Sequence, residues 1–234
     1  MKKTILLLFL ICTLGVQAQN DYWTSYTFEV EPQNVSTVYN LVDSYYKAHK
    51  AAGVSVRLFE NHFKDHGNNY THAIVFSGSL DAMGAMYGGG PNEGFDLFIT
   101  RLNQHIKAGY SSSMGYGVGA YSGGEGPFPY RRMFMLKVNN ANAFEAEFNK
   151  FNAQHNPNGR MIFLGGISSG RSAAGETHFV ITAFKDFKTA MGGVMELIPA
   201  DQREAWGKAW DASNQAGGGA EMISNSMRIL MGEW

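Results

Sequence analysis

Cysteine is almost absent from the chain. Among its 234 residues only Cys12 is a cysteine, and it lies in an N-terminal apolar segment. If that segment is removed, no thiol nucleophile and no disulfide remains, so packing alone must hold the core. The sequence also has no Gly-x-Ser-x-Gly and no His-Glu-x-x-His pattern, which excludes α/β-hydrolases and zincins. The glycine run "GGGPNEG" is followed by no Gly-Lys-Ser/Thr, so it is not a nucleotide loop.

An excess of charge of one sign is also missing. The chain carries 19 basic and 20 acidic residues, for a formal net charge of −1. This balance gives no reason to expect nucleic acid or an anionic membrane surface as a partner. Beyond the N-terminus no apolar run is long enough to cross a bilayer, so we expect no membrane span.

The N-terminus has the pattern of a secretory signal peptide. Lys2 and Lys3 precede an apolar run from Ile5 to Val16, and the small residue Ala18 follows. This pattern predicts a signal peptide over residues 1–18, cleaved near Ala18, and a periplasmic or secreted protein. Because Ile11 stands before Cys12, where a lipid-attachment motif needs a small residue, lipid anchoring is not expected.

A Thr-His pair occurs twice at the start of an apolar run. Thr71-His72 opens "THAIVF" and Thr177-His178 opens "THFVIT", 106 residues further on. The same offset relates other positions on the N-terminal side of each pair: His49 with His155, Gly53 with Gly159, Val38 with Phe144, Val42 with Phe148, and Tyr45 with Phe151. The last three pairs follow the i, i+4, i+7 spacing of a helix face. The repetition therefore belongs to about 100 residues, and the histidine is carried with it.

Each half is predicted to contain the same order of elements. Alternating aromatic-rich segments indicate first strands at "YWTSYTFEV" and "RRMFMLKV". Helices are expected over residues 34–52 and 141–154, followed by a second strand, a polar turn and the Thr-His strand. Two helical segments and a last strand complete each half. Gly and Pro concentrate in residues 122–130, which places a boundary between units 19–124 and 125–234.

This α+β arrangement, βαββαβ written twice, is the order of the ferredoxin-like unit. The chain resembles the dimeric α/β barrel superfamily, here with two tandem units packed sheet to sheet as an intramolecular pseudo-dimer. The resemblance implies a pocket inside the barrel or between sheet and helices. The superfamily contains small oxygenases, isomerases and haem-binding enzymes, so the fold alone implies no particular reaction.

His72 and His178 are the candidate catalytic residues. Alternation puts His72 on one strand face with Tyr70, Ile74 and Phe76, and we expect the smaller, opposite face to lie against the helices. Both histidines would then point between the sheets. There a histidine can serve as a general base, as a haem or metal ligand, or as a packed residue with both ring nitrogens hydrogen-bonded. The duplication favours the packed role.

Four residues are candidate ligand contacts. Tyr26 and Tyr70 belong to the aromatic-rich strands, and Arg57 and Arg160 lie on the second strands, where a guanidinium can bind a carboxylate. No metal site is predicted, because "HFKDH" falls in a turn and has no counterpart in the second half. No cofactor is predicted, and the resemblance leaves haem open.

Three functions remain open from the sequence. The first is a binding protein for a small apolar or aromatic molecule held between the sheets. The second is a cofactor-independent monooxygenase or isomerase that uses a strand histidine as general base. The third is a structural, envelope-associated protein that interacts through sheet edges or through Trp206 and Trp210.

Overall fold

The structure is a computed structural model that describes residues 21–234. The expected signal peptide therefore lies outside the described residues. The strands are β1 (Tyr22–Glu29), β2 (Val54–Lys64), β3 (His72–Gly78), β4 (Ala108–Ser122), β5 (Tyr130–Val138), β6 (Arg160–Ser169), β7 (His178–Phe184) and β8 (Ala220–Glu233). The helices are α1 (Val35–Ala48), α2 (Leu80–Tyr87), α3 (Glu93–Asn103), α4 (Ala141–His155), α5 (Phe187–Gly192) and α6 (Arg203–Ala216).

All of these strands belong to one closed antiparallel barrel in the order β1-β3-β2-β8-β5-β7-β6-β4, with β4 paired back to β1. Strands of the first half are contiguous, as are those of the second half. The halves meet at two seams, β2 with β8 and β4 with β6. The predicted mixed α+β class is confirmed. Both halves have the element order β, α, β, β, two helices, β.

Helices cover the outside of the barrel because each presents one apolar stripe to the strands. On α1 the buried residues are Val38, Val42 and Tyr46, which pack on the outer faces of β2 and β3. On α4 the corresponding residue Phe148 packs with Ile162 and Leu164 of β6. The predicted i, i+4 stripe is therefore confirmed on both helices. None of the described helices has the length and hydropathy needed to cross a membrane.

The first helix is shorter than the sequence suggested. Residues 34–52 were expected to be helical, but α1 ends at Ala48 and His49 caps it. The His49 N–H and its Nδ1 both bond the Tyr45 carbonyl, at 2.9 and 3.0 Å, which ends the hydrogen-bond ladder. Gly53 follows with a φ of 73°, a left-handed conformation that favours glycine and turns the chain into β2.

The faces of the Thr-His strands were assigned the wrong way round. His72 and His178 lie under the helices, whereas Val75 on β3 and Phe179 on β7 line the barrel interior. The helices were expected to cover the face of each strand with the smaller side chains. This expectation was wrong, because the strands of a closed barrel bury side chains on the inner face as well as under the helices. Both faces of these strands are buried, so apolarity does not distinguish inside from outside.

Candidate functional site

The barrel interior contains a cavity of about 690 Å³ that is partly open to solvent. One part of its wall is apolar and is made by inward-facing side chains from five strands. These include Trp23, Val75, Met133, Phe163, Phe179 and Ile181. A cavity of this volume with a largely apolar wall has the dimensions of a small-molecule site.

Aromatic rings fix the shape of the apolar wall. Trp23 packs edge-on against Phe179, with ring centroids 4.9 Å apart, and Phe163 packs against the same ring at 5.8 Å. The Trp23 indole N–H donates to the Tyr116 carbonyl at 3.2 Å. Since its only donor is satisfied by the backbone, Trp23 presents an apolar surface to the cavity.

Four arginines also line the cavity: Arg57, Arg131, Arg171 and Arg228. Arg57 of β2 is paired with Glu233 at 2.7 Å and donates to the Ser77 hydroxyl at 2.9 Å. Arg131 of β5 and Arg228 of β8 lie directly opposite each other across the strand pair. The cavity wall therefore combines apolar rings with fixed positive charges.

Arg131 has few polar partners in the protein. Its Nε donates to the Phe128 carbonyl at 3.2 Å, and its guanidinium lies 4.8 Å from the centroid of the Phe59 ring. Burial, with a smaller effect of the positive charge of Arg57, lowers the pKa of Arg131 to about 10, although Glu233 opposes the shift. The group therefore stays charged at neutral pH, and it is less well hydrated than a surface arginine.

Arg228 holds the hydroxyl of Tyr70. Its Nη2 donates to the Tyr70 oxygen at 2.7 Å, and both residues line the cavity. Burial alone raises the pKa of Tyr70, but the charge of Arg228 and hydrogen bonds from Arg228, Asn68 and Ser226 outweigh it and lower the pKa below 10.0. Tyr70 therefore loses its proton more easily than an ordinary tyrosine.

The repeated Thr-His pair anchors strands. The Val30 N–H donates to the Thr71 hydroxyl oxygen at 2.8 Å, and the Val138 N–H donates to the Thr177 hydroxyl oxygen at 3.0 Å. Each hydroxyl also lies 2.9 Å from Nδ1 of the following histidine. The threonine of each pair therefore provides a hydrogen-bond acceptor for a backbone N–H group at the end of β1 or β5. This structural role explains the duplication without a catalytic role.

The strand-anchoring role of the threonine predicts a stability effect. Thr177→Val is expected to lower the free energy of unfolding by about 1–3 kcal/mol, because the Val138 N–H would lose its partner. Thr182→Val on the same strand is the matched control, since the Thr182 hydroxyl is buried without a described partner. We expect the control to keep or raise the free energy of unfolding, because it removes a buried hydroxyl that has no described partner. Urea denaturation measures both, and equal losses would contradict the assignment.

His72 and His178 differ in whether the second ring nitrogen, Nε2, has a hydrogen-bond partner. His178 Nε2 donates to the Glu145 carboxylate at 3.0 Å, so both of its nitrogens are engaged. His72 Nε2 is buried without a described partner, and its ring stacks on Phe28 at 6.0 Å. Burial lowers the pKa of His72, with Lys64 adding to the shift and Glu60 opposing it.

The depressed pKa of His72 predicts loss of stability in acid. The folded protein holds this histidine neutral, whereas in the unfolded chain it takes up a proton near pH 6.5. Stability is therefore full above about pH 6.5 and falls as the pH is lowered, by at most about 1.4 kcal/mol per pH unit. Chemical denaturation at several pH values should show a flatter profile for His72→Phe. An unchanged profile would mean that His72 does not titrate on unfolding.

The strand histidines do not fit a haem. An axial histidine needs a free ring nitrogen directed into a space large enough for the macrocycle. His178 has no free nitrogen, and His72 is only 2% exposed. Neither lines the barrel cavity, where His66 is the histidine among the described lining residues.

Of the four predicted ligand contacts, two line the cavity and two lie outside it. Tyr70 and Arg57 line the cavity, and their contact with a ligand stays a prediction. Tyr26 lies outside it, where its hydroxyl bonds Tyr87 at 3.0 Å, so its predicted position was wrong. Arg160 was also misplaced: its guanidinium is buried under α4, where its Nη2 donates to Asn152 at 2.8 Å. Both were misassigned because aromatic or basic character says nothing about which strand face is inside.

Sequence reasoning missed Arg131 and Arg228. Arg131 stands in "RRMFMLKV", where alternation places Arg131, Met133 and Met135 on one face. That signal was present in the sequence. For Arg228 no local pattern exists, because its position in the site depends on the register of β8 against β5.

Solved structures share this fold at low sequence identity. A proposed monooxygenase from Fusobacterium nucleatum matches with a TM-score of 0.60 and 13% identity over 92% of this chain and 94% of that chain. An anthrone oxidase-like protein matches with a TM-score of 0.56 and 12% identity over 93% and 94%. A mutant chlorite dismutase from Candidatus Nitrospira defluvii, in complex with cyanide, matches with a TM-score of 0.50 and 10% identity over 91% of each chain.

These similarities show the fold alone. The described chain forms a closed eight-stranded antiparallel barrel, and it shares this fold with these structures. No family model matches the sequence, and no curated protein matches it. Function therefore has to be argued from the cavity.

Proposed function

We propose that the barrel cavity binds a small molecule with an apolar body of aromatic size. The observation that carries the proposal is the cavity of about 690 Å³ walled by Trp23, Phe163 and Phe179. Buried rings around an open volume lose contacts that a ligand of matching shape restores. The result is a favourable site for an apolar molecule even before any polar contact is made.

A neutral fluorescent probe tests this function. Phenylnaphthylamine should bind the wild-type protein with enhanced emission, because the cavity shields it from water. Ile181→Trp fills the cavity and should weaken binding at least about tenfold, the equivalent of about 1.4 kcal/mol. Met191→Trp, on the exposed surface of α5, is the control and should bind like the wild type. Equal binding by both variants would place the probe outside the barrel.

A second function, a cofactor-independent monooxygenase or an isomerase, is supported by Tyr70. The lowered pKa favours the phenolate form of Tyr70, and this phenolate in the cavity wall can take a proton from a bound carbon or oxygen acid and become the neutral phenol. In the oxygenase case dioxygen is the co-substrate and oxidant. Because His72 and His178 face the helices, Tyr70 replaces them as the candidate base in this proposal.

Oxygen uptake tests the second function. Anthrone is a suitable substrate because the fold is shared with an anthrone oxidase-like protein. Wild-type protein should consume oxygen with anthrone, whereas Tyr70→Phe should not, and Tyr110→Phe, at a neighbouring ring in the wall, should remain active. If Tyr70→Phe retains full activity, or the wild type has none, the oxygenase with Tyr70 as its base is rejected.

We also propose that the halves are tandem copies of one ferredoxin-like unit, residues 19–124 and 125–234. Support comes from their equal element order and from the equivalent anchors made by Thr71 and Thr177. The exposed connection around Gly124 should be the preferred site of limited proteolysis, and the two fragments should remain associated through both seams. Cleavage mainly within a half would argue against this division.

Export of the protein to the periplasm or beyond is likewise proposed. It rests on the sequence of residues 1–18. The mass of the protein isolated from its own cells should correspond to a chain that begins at Gln19. A full-length mass in a cytoplasmic fraction would reject export.

A further inference from the structure

Two arginines stand opposite each other on neighbouring strands of the cavity wall. Arg131 on β5 and Arg228 on β8 are direct cross-strand partners, and both side chains line the cavity. Like charges directly opposite each other on neighbouring strands are unfavourable. The cost is larger inside a barrel than on a surface, because water screens the pair less well there.

Neither of these two arginines has a carboxylate partner among the described residues. The ion pairs of the described chain include Arg57 with Glu233 but none with Arg131 or Arg228. Their hydrogen bonds go to neutral oxygens, the Phe128 carbonyl and the Tyr70 hydroxyl. Neither guanidinium is therefore held in a direct ion pair, although the more distant charge of Glu233 acts on Arg131.

Arg228 adds a second, independent observation. The residue is only 8% exposed, and its Nε is buried without a described hydrogen-bond partner. Buried arginines are ordinarily paired, so an arginine in a cavity wall without a carboxylate partner needs an acceptor. An anion in the cavity would serve as that acceptor for both arginines.

Three carboxylates line the cavity, and none forms a described ion pair with Arg131 or Arg228. Asp65 accepts from the Asn225 N–H at 2.8 Å, and Glu176 accepts from the Ser172 N–H at 2.7 Å. Asp21 is exposed just before β1. A ligand in the cavity can therefore supply the negative charge that these carboxylates do not place beside the two arginines.

We propose that Arg131 and Arg228 form an oxyanion site that binds the carboxylate or phosphate group of the cavity ligand. This inference rests on the proposed binding function and specifies its ligand class: an amphiphilic molecule with an apolar body and one oxyanion group. Guanidinium groups match such oxygens because they present paired N–H donors in a plane. The apolar body lies toward Met133 and Phe179, whose side chains line the same cavity.

A matched pair of dyes tests the oxyanion site. Phenylnaphthylamine is neutral, and anilinonaphthalene sulfonate has the same ring skeleton with an added oxyanion. Wild-type protein should bind the sulfonate more tightly. Arg131→Met and Arg228→Met should each weaken sulfonate binding by about tenfold to a hundredfold, the worth of a charged hydrogen bond. Both variants should bind the neutral dye within about twofold of the wild type, which also shows that they are folded.

Further variants and ligands complete the design. Arg101→Met, at an exposed position of α3, is the control and should change neither affinity. Arg228→Lys keeps the charge and should recover part of the sulfonate affinity. Displacement of the sulfonate by naphthoate alone identifies a carboxylate ligand, and displacement by naphthyl phosphate alone identifies a phosphate. Displacement by neither contradicts the oxyanion site.

The two proposals fail in different ways. If the wild type binds both dyes equally, or if the arginine variants keep the sulfonate, the oxyanion site is rejected while the cavity function stands. If the wild type binds neither dye, the cavity function is rejected and the oxyanion site with it.

Discussion

Replacement of Gly115 by alanine is expected to lower the free energy of unfolding by about 3 kcal/mol or more. Gly115 lies on β4 where the barrel closes against β6. A Cβ there would overlap the carbonyl oxygen of Gly166 and the ring of Trp23. Since the first of these atoms belongs to the backbone, no side-chain rotation relieves the overlap. The β4–β6 seam would have to shift, and the apolar wall of the cavity would shift with it.

Gly109→Ala is the matched control for the seam. Gly109 belongs to the same strand, and a Cβ at this position meets no atom within 4 Å. We expect this variant to be neutral or more stable by up to about 1 kcal/mol, because alanine restricts the unfolded chain. Thermal or urea denaturation compares the two variants. If Gly115→Ala costs no more than Gly109→Ala, the close approach of the strands at this seam is wrong.

Replacement of Phe179 by alanine should cost about 3–5 kcal/mol. Phe179 is 5% exposed, and its ring packs against Trp23 and Phe163. Truncation to alanine removes the ring that connects these two side chains in the apolar wall. The expected value is near the low end, because one side of the ring already borders the cavity. Phe63→Ala, at a ring that is 52% exposed, should cost far less. A small effect of Phe179→Ala would mean that the interior is not packed around this ring.

The order of strands and helices was predictable because its signals are local. Gly53 and Gly159 sit where the chain needs a positive φ after a helix, at 73° and 87°. The stripe that includes Val42 and Phe148 is visible as a helical period in the sequence. The Thr-His repeat marked equivalent strand starts, and its hydrogen bonds are the same in both halves.

The direction of the strand faces was not predictable from apolarity. On β3 the inward residues Ala73 and Val75 and the outward residues Ile74 and Phe76 are all apolar. The inner and outer faces are distinguished by the pairing with the neighbouring strand, because Val75 lies opposite Arg57, whose side chain lines the cavity. The sequence does not give this register, and the histidines were therefore predicted on the inner face.

The site itself depends on contacts between the halves. Arg131 comes from the first strand of the second half, while Tyr70 comes from the first half, and Arg228 joins them across β8. No segment of the sequence contains more than one of these residues. Their convergence follows from barrel closure, which a local pattern does not encode.

Methionine methyl groups provide the most direct test of the account, because they occur both inside and outside the barrel. Met133, Met135 and Met161 line the cavity, whereas Met191 and Met222 are exposed on the outside, at 67% and 57%. The measurement is a nuclear magnetic resonance titration of isotope-labelled methionine methyls with phenylnaphthylamine. Ligand in the barrel shifts the three interior resonances and leaves Met191 and Met222 in place. Shifts confined to the exposed methionines would contradict the proposal that the barrel interior is the binding site.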